Sequence, residues 1–475
     1  MPFQDNNIEI IENELQKRFI NCCDFNNNRI NCDEAVVGIY FFSYITERIF
    51  MTDRIIKSII DKKDKIKEFN GKFEALIPVN IFSDFISIDD SVIKILDGYT
   101  LVCIQIKERC YLSLCKADDV IGRSVSNPNT EGALRGSYSA FVEDIRKNIA
   151  MMRQILRTDK LKIEQFIIGK LSNTRIAICY IEGRAKKQVI DEVKRRIFDA
   201  DITSVMDSAY IEIAFEKSPS LFRTAGSTEK PDKACSKLIS GRVAIVVDGS
   251  PFVLTVPYIF VENLQSTEDY LKSPIYSTFI RTIRFIAILI SVYLPSVFIA
   301  AVSDDIKLLP LELLLSISTA RRNIAYSLFG EILLMLIIFE IIREVGIRMP
   351  KSVGNAVGIV GSIILGDAAV KAGIASTTVI IVVALTAISN FVLPPYVDST
   401  VILRFGFLFA AYFLSFFGIF ALTLIILTRL CSKDSFGTPY MMPISPLDKE
   451  GLSDFITVVP KKVLGRAEKG VTKDK

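Results

Sequence analysis

The feature that most constrains this chain is the uneven distribution of its charged residues. Residues 1–273 are rich in Lys, Asp, Glu and Asn, whereas charges become sparse and long apolar runs appear between about residues 283 and 428. Neither Phe285–Val302 nor the longer Phe405–Thr428 contains a charge. Apolar stretches of about 18 residues or more can cross a bilayer as helices. The sequence therefore predicts a soluble part followed by a membrane domain.

Composition argues against several kinds of chemistry. The chain has no histidine, which removes imidazole acid–base catalysis and the commonest protein metal ligand. The net charge of +4 is small and no polybasic block is present, so no nucleic-acid partner is expected. Gly241–Phe252 has neither the GxxxxGK[ST] nor the GxGxxG spacing of nucleotide sites. We therefore expect no enzyme activity, no metal and no cofactor.

The start of the chain and its cysteines indicate a cytosolic setting. Met1–Ile20 is polar and acidic and lacks the apolar segment of a secretory signal, so the soluble part is expected to stay in the cytosol. The nine cysteines are scattered without a CxxC pair. An odd number of cysteines in that compartment is typical of reduced thiols rather than of a disulfide framework.

The soluble part is predicted to be an α/β domain of two small subdomains. A polar tail over residues 1–30, with a short helix in it, is predicted to precede them. The first subdomain is predicted over residues 31–120 and is followed by a Gly- and Ser-rich linker over residues 121–137. Three runs in it are predicted as strands: Ser91–Leu96, Tyr99–Ile106 and Cys110–Cys115. Asp97-Gly98 lies between the first two and is typical of a tight hairpin turn.

The second subdomain is predicted over residues 138–273. Apolar residues at helical spacing predict a helix over Phe141–Arg157. The remaining elements are a strand, a helix and a hairpin: Arg175–Ile181, Lys186–Phe198, and Val243–Val247 paired with Phe252–Val256 across a Gly-containing turn. This alternation of strands and helices predicts an α/β sandwich.

A polytopic α-helical membrane domain is predicted over residues 274–430, followed by a cytosolic tail over residues 431–475. Four segments are predicted to cross the membrane: 285–302, 328–342, 374–393 and 405–428. Two are too short and are predicted as half-length helices: 308–319 and 353–366. Counting either as a crossing would raise the number to five or six. Arg281 and Arg284 precede the first span, so we expect it to run outward, later spans to alternate in direction, and both termini to be cytosolic.

The acidic residues Glu331 and Glu340 lie within a predicted span. Ionised carboxylates in hydrocarbon are costly and usually face a cavity, a pore or an opposite charge. Glu340 shares a helix face with Arg343 and Glu344, three and four residues further on. Two interpretations remain open for this group: a water-accessible polar path, or an ion-pair network where helices contact one another.

Small residues recur at every fourth position in the second short segment: Gly354, Gly358, Ser362 and Gly366. Such spacing makes a smooth face on which another helix can pack closely, within the subunit or between subunits.

Asp367 and Lys371 form an i,i+4 pair immediately after that segment. They resemble the polar ends of broken helices that line ion paths, although a surface ion pair has the same spacing. Ser389 and Asn390, ahead of Pro394-Pro395, can cap a span or face a pore.

Several blocks, in order along the chain, resemble the GerA family of spore germination proteins, specifically the A-type subunit. They cover roughly residues 70–446 and include Tyr180–Gly183, Thr228–Asp232, Gly241–Leu254, Phe339–Pro350, Ile380–Ser389 and Ser435–Tyr440. The sequence departs from the family pattern at Ser137, where proline is usual, at Leu336, where glutamate is common, and at Asp367, where glutamine is usual.

This resemblance implies a multi-pass protein of the spore inner membrane that forms homo-oligomers and conducts ions in response to nutrients. It implies two partners, a transporter-like B subunit that takes the nutrient and a C-type lipoprotein, besides membrane lipid. Glu331, Glu340, Asp367 and Lys371 are our candidates for residues that tune the polar path.

Three alternatives remain at the level of the sequence. One is the SpoVAF-type paralogue of the same family, which would amplify germination rather than sense nutrients. A second is a secondary transporter, which would require matched broken helices in two inverted halves. The segments 308–319 and 353–366 do not resemble one another, which disfavours it. A membrane-tethered enzyme is the least favoured, because no catalytic constellation is visible.

Overall fold

The computed structural model describes residues 7–457 with several gaps. Outside the description are residues 33–34, 67–68, 70, 79–80, 83–87, 108, 117–127, 129–130, 132–136, 217–219, 304–308, 323, 350–365, 393–396, 449–450, 452–453 and 456. The described residues belong to two compact units. The first takes in those up to residue 258 together with Asp434–Thr438, and the second takes in those of 259–433 and those after 438.

The first subdomain of the first unit is an antiparallel five-stranded sheet between two layers of helices. Its strands, in the order β1-β2-β4-β5-β3, are β1 (Phe25–Cys32), β2 (Ala35–Phe42), β3 (Ile81–Phe82), β4 (Tyr99–Ile106) and β5 (Arg109–Lys116). Helices α1 (Ile8–Arg18) and α2 (Ile88–Leu96) pack on one face. Short helical segments between Arg48 and Ile66 pack on the other.

Two predictions about this subdomain are wrong. Ser91–Leu96 is part of helix α2, not a strand, because Val92, Ile95 and Leu96 turn inward at helical spacing. Asp97-Gly98 consequently ends a helix instead of turning a hairpin. The Gly98 N–H donates to Ile95 O at 3.1 Å, and its φ of +90° is a conformation that glycine adopts without steric penalty.

The short helix predicted within residues 1–30 is confirmed as α1, but the described residues 7–30 belong to the first subdomain and are not a tail. Ile8, Ile11 and Leu15 of α1 are buried against the sheet, and β1 pairs along its whole length with β2. The Asn-rich sequence of β1 shows no apolar alternation because β1 is an edge strand, so its folding depends on the hydrogen bonds of its neighbour.

The second subdomain repeats this architecture. Its strands, in the order β6-β7-β9-β10-β8, are β6 (Leu161–Ile168), β7 (Thr174–Ile181), β8 (Gly226–Thr228), β9 (Val243–Val247) and β10 (Val253–Val256). One face packs on α4 (Lys187–Asp199) and α5 (Ser208–Phe215), and the other on α3 (Ile145–Ile155) and α6 (Pro231–Ile239). The elements predicted for this region are therefore confirmed to within a few residues.

The strand orders of the two sheets are identical once the numbering is shifted by five. Each subdomain begins with a helix followed by a hairpin. A short strand at the far edge of the sheet and a helix come later, and the second hairpin follows them. The first unit is therefore a tandem structural repeat, which sequence analysis did not detect.

A buried ion pair joins the two repeats. Asp24 precedes β1 and accepts two hydrogen bonds from Arg153 of α3, at 2.8 and 2.9 Å, and neither side chain is exposed. The guanidinium also donates to Leu161 O at 3.1 Å and lies over the ring of Phe42. Burial by itself lowers the pKa of Arg153, but the adjacent Asp24 carboxylate outweighs that effect, and the pKa lies above its ordinary value.

Part of the predicted C-terminal tail belongs to the second subdomain. Ser435 accepts a hydrogen bond from the Tyr258 N–H at 2.9 Å and donates one to Thr224 O at 2.8 Å. Phe436 is buried and its ring lies 5.0 Å from that of Phe215. The predicted tail over residues 431–475 therefore contains a folded segment of the first unit, Asp434–Thr438.

The second unit is mainly helical. Its longer described helices are α7 (Pro274–Ser303), α8 (Leu311–Ala320), α9 (Leu328–Arg348), α10 (Thr377–Asn390) and α11 (Val397–Ser432). By length and composition, α7 and α11 can each cross a membrane. The predicted span 328–342 lies within α9, and α8 coincides with the predicted half-length helix 308–319. Of the predicted span 374–393, only the 14 residues of α10 are helical, fewer than a crossing needs. The other half-length helix, 353–366, lies outside the described residues except for Gly366.

Helix α11 is folded back on itself. Ser415 has a φ of +50°, which interrupts the helical backbone. Gly406 lies close to Leu422, and the ring of Tyr293 contacts Phe407 while its hydroxyl lies 3.2 Å from Thr423 Oγ1. Residues 16 apart would be about 24 Å apart along one straight helix. The predicted single span 405–428 is therefore wrong, because the segment contains the turn of a helical hairpin.

Replacing Gly418 by alanine is expected to open this hairpin, because a Cβ there would overlap with the carbonyl of Ala410. Overpacking of this kind costs about 1–3 kcal/mol, so we expect a lower melting temperature of the detergent-purified protein. Gly346→Ala in α9 is the matched control, since no described atom other than the adjoining backbone of its own helix lies within 4 Å of its Cβ position. Equal melting temperatures for the two variants would contradict the hairpin.

Candidate functional site

A fully buried arginine lies at the centre of the helical unit. Arg404, in the first half of α11, has no exposed side-chain surface. Its Nε donates to Ser291 O at 2.9 Å and its Nη2 to Ser291 Oγ at 3.0 Å, both on α7. Its Nη1 donates to Glu340 Oε1 on α9 at 3.1 Å. One planar guanidinium therefore holds three helices through charge-assisted hydrogen bonds.

Neutral polar side chains extend this cluster to α10. Asn390, the last residue of α10, accepts hydrogen bonds through Oδ1 from Ser291 Oγ at 3.2 Å and from Thr400 Oγ1 at 2.6 Å. All three side chains are buried. Two roles were considered for Asn390, capping a span and facing a pore. Its hydrogen bonds to Ser291 and Thr400 are those of a residue at a helix end inside the unit, and they favour the first role.

The cluster carries more positive than negative charge. Glu340 Oε2 lies 2.9 Å from Arg343 Nη2, so a single carboxylate faces two guanidinium groups. Nε and Nη1 of Arg343 are buried and make no hydrogen bond in the described part of the chain. Glu340 Oε2 is likewise buried without a hydrogen bond in the described residues, so its contact with Arg343 is an ion pair only. Arg404 also bonds to Ser291, and Arg343 therefore depends on Glu340 more than Arg404 does.

The second carboxylate, Glu331, ties the start of α9 to the start of α10. Its side chain is fully buried, and Oε1 accepts hydrogen bonds from the Ser376 N–H at 2.6 Å and from the Ser376 hydroxyl. Its Oε2 accepts one from Arg321 Nε at 3.3 Å. A carboxylate on the free N–H groups at a helix N-terminus is favoured by the helix dipole.

These contacts fix the relative direction of α9 and α10. Glu331 meets Ser376 at their first turns, and Phe339 meets Phe391 further along, with ring centroids 6.4 Å apart. The two helices therefore run the same way. The predicted alternation of direction between the spans 328–342 and 374–393 is therefore wrong. That prediction used the positive-inside rule, which considers only the charges at the ends of spans and not a buried contact such as that between Glu331 and Ser376.

The other candidate residues lie apart from the buried cluster. Asp367 and Lys371 form an ion pair of 2.7 Å with exposed side chains, as the i,i+4 spacing predicts. No described atom lies within 4 Å of the Cβ position of Gly366. Gly354, Gly358 and Ser362 lie outside the described residues. The structure therefore groups Glu340 with Arg404 and leaves the other candidates at separate places.

Sequence reasoning missed Arg404 and Ser291. The signal for Arg404 was present, since it is a single cation beside a long apolar run and such residues usually face a partner inside the protein. The predicted span 405–428 began one residue after it and so treated it as a flanking charge. Ser291 carries no comparable signal, because a lone serine in an apolar helix is common.

Comparison with known proteins gives consistent matches. The family model described as Bacillus/Clostridium GerA spore germination protein matches residues 13–469. Spore germination protein A1 of Bacillus subtilis (strain 168) is 35% identical over 443 residues, covering 92% of this chain and 90% of that protein. Spore germination protein KA of the same organism is 38% identical over 350 residues, covering 73% of this chain and 64% of that protein. The chain thus spans somewhat less than two thirds of the length of protein KA.

One solved structure is similar to part of the chain. The crystal structure of the N-terminal domain of the A subunit of the Bacillus megaterium spore germinant receptor GerK3 aligns with a TM-score of 0.41 and 24% identity. The alignment covers 55% of this chain and 98% of that structure.

Proposed function

Because this chain belongs to the GerA family of Bacillus and Clostridium spore germination proteins, we propose that it is the A-type subunit of a nutrient-responsive germination receptor. In this role it forms an oligomeric, ion-conducting component of the spore inner membrane. It acts together with a transporter-like B subunit and a C-type lipoprotein, and both of its termini are cytosolic.

The observation that carries this proposal is the buried charged cluster around Arg404 within apolar helices. Helix α7 is long and apolar enough to cross a membrane, and the cluster joins it to α9, α10 and α11 through Glu340, Asn390 and Arg404. Charges inside a membrane domain are costly and mark ion paths or switching contacts. A family that triggers germination and a membrane unit with such a cluster together support ion conduction rather than enzyme activity.

In the proposed mechanism, the pair of Arg404 and Glu340 stabilises the resting arrangement of the helices. Nutrient binding to the B subunit shifts the equilibrium by favouring an arrangement in which α9 has moved relative to α7 and α11. Only a difference in interaction free energy between the two arrangements can produce such a shift. Glu331, Glu340, Asp367 and Lys371 then set the polarity of the path.

Ion flux from vesicles tests this proposal. The chain is reconstituted with its B and C subunits in vesicles loaded with a potassium indicator, and a mixture of amino acids and sugars is added. We expect nutrient-dependent flux, changed by Glu340→Gln and by Asp367→Asn and unchanged by Asp201→Asn, a carboxyl exposed in the first unit.

The outcomes separate the parts of the proposal. Absence of flux from the wild-type complex would contradict ion conduction. Wild-type flux with normal protein levels in both Glu340→Gln and Asp367→Asn would remove those residues from the path while leaving conduction intact.

A further inference from the structure

Helix α7 is longer than the hydrocarbon layer of a bilayer. Its 30 residues correspond to about 45 Å at 1.5 Å per residue. The hydrocarbon core is about 30 Å thick, and about 40–45 Å includes both headgroup regions. The first turns of α7 therefore extend beyond the hydrocarbon if the helix crosses the membrane.

The outer face of those first turns is apolar and uncovered. Ile275, Phe279 and Ile283 are exposed at spacings of four residues, with Tyr276 beside them. Ile275 is 85% exposed and Phe279 61% exposed. The same stripe continues along the helix through the exposed side chains of Ile286 and Leu289. Val297 is exposed further along, beyond Tyr293, which packs on Phe407. The apolar surface at the base of α7 is thus continuous with the surface that would face lipid in the span.

The opposite face of the same turns is polar, buried and paired. Arg281 is 1% exposed and donates to Asp269 Oδ2 at 3.1 Å and to Asp454 Oδ1 at 3.0 Å. Arg284 donates to Asp269 at 2.7 Å, and the Tyr270 hydroxyl donates to Asp454 Oδ2 at 2.7 Å. Two arginines and two aspartates neutralise one another. The charges of Arg281 and Arg284 are therefore compensated, so these two residues do not keep the base of α7 away from a bilayer.

An anchor of the kind found at membrane interfaces precedes the helix. Lys272 Nζ lies 5.8 Å from the centre of the Tyr276 ring and bonds to Glu268. Tyrosine and lysine side chains at this position place an apolar body in the interface and a polar tip in water.

We infer that the face Ile275–Tyr276–Phe279–Ile283 docks on lipid, in the interfacial layer of the bilayer. This inference rests on the proposed membrane location and extends it beyond the span. It assigns the first turns of α7 a lipid-binding role instead of treating them as a cytosolic linker. The occupant is lipid because the stripe joins the apolar face of the span without a break and because the helix length matches the full bilayer.

Tryptophan fluorescence tests the docking surface without background, since the chain contains no tryptophan. Tyr276→Trp and Phe279→Trp place the probe on the face. Val297→Trp places it within the span, and Tyr210→Trp, in the first unit, provides an aqueous reference. Each full-length variant is reconstituted in vesicles of phosphatidylcholine and phosphatidylglycerol. Quenching is measured with lipids brominated near the headgroup or at mid-chain, and with aqueous acrylamide.

We expect both face probes to be quenched by shallow bromines as strongly as Val297→Trp is by deep ones, with a blue-shifted emission and little quenching by acrylamide. Quenching by acrylamide equal to that of Tyr210→Trp would overturn the inference, and so would protection from both quenchers, which would indicate a protein partner. If Val297→Trp were not quenched by any lipid, the proposed membrane location itself would fail.

Discussion

Replacing Asp24 by alanine is expected to destabilise the first unit by about 3–5 kcal/mol, because it leaves the Arg153 guanidinium buried without a counter-charge. This free energy corresponds to between about two and three and a half orders of magnitude in the folding equilibrium. Hydrogen exchange of the full-length protein in detergent measures it, and α3 and strands β1 and β2 should lose protection first. Asp201→Asn is the control, since its ion pair with Lys170 is exposed and should contribute less than about 1 kcal/mol.

The double variant Asp24→Leu with Arg153→Met distinguishes a charge effect from a packing effect. Removing both partners of a buried pair is often close to neutral, because no charge is then left without a partner. We therefore expect the double variant to recover most of the protection that Asp24→Ala loses. If it were as unstable as the single variant, the two repeats would be held together by shape rather than by the charge pair.

Replacing Glu340 by alanine is expected to destabilise the helical unit more than replacing Arg404 by methionine. Without Glu340, both Arg343 and Arg404 lose their counter-charge, whereas without Arg404 the carboxylate keeps Arg343 at 2.9 Å. Breaking a buried pair costs about 3–5 kcal/mol when the remaining charge is uncompensated. The order of the melting temperatures of the detergent-purified variants measures this asymmetry.

Two further variants sharpen the test of the charged cluster. Arg404→Lys keeps the positive charge but should still be less stable than the wild-type protein, because an ammonium group cannot reproduce the planar set of hydrogen bonds to Ser291 and Glu340. Lys371→Met removes a cation from an exposed pair and should leave the melting temperature almost unchanged. A larger loss from Arg404→Met than from Glu340→Ala would show that the hydrogen bonds to α7, not the charge balance, dominate the cluster.

The candidate site shows which contacts can be predicted from local sequence patterns and which cannot. Glu331 and Glu340 stood out because a carboxylate in an apolar run needs a partner, and the structure supplies one for each. One partner of Glu340, Arg343, is three residues away and was visible from helix spacing. The others, Arg321, Ser376 and Arg404, lie between 10 and 64 positions away in the chain. Local spacing predicted the exposed pair of Asp367 and Lys371, since an i,i+4 contact depends only on helix geometry.

The sequence by itself determined the division into a charged part and an apolar part, the elements of the second subdomain and the family. These follow from composition, periodicity and ordered motifs, which are all local properties. Only the tertiary structure decided that the first unit is a tandem repeat, that α9 and α10 run in the same direction, and that α11 turns back at Ser415. The physical reason is that strand order, helix direction and a buried charge pair depend on contacts between distant residues, whose free energy has no signature in any short window of sequence.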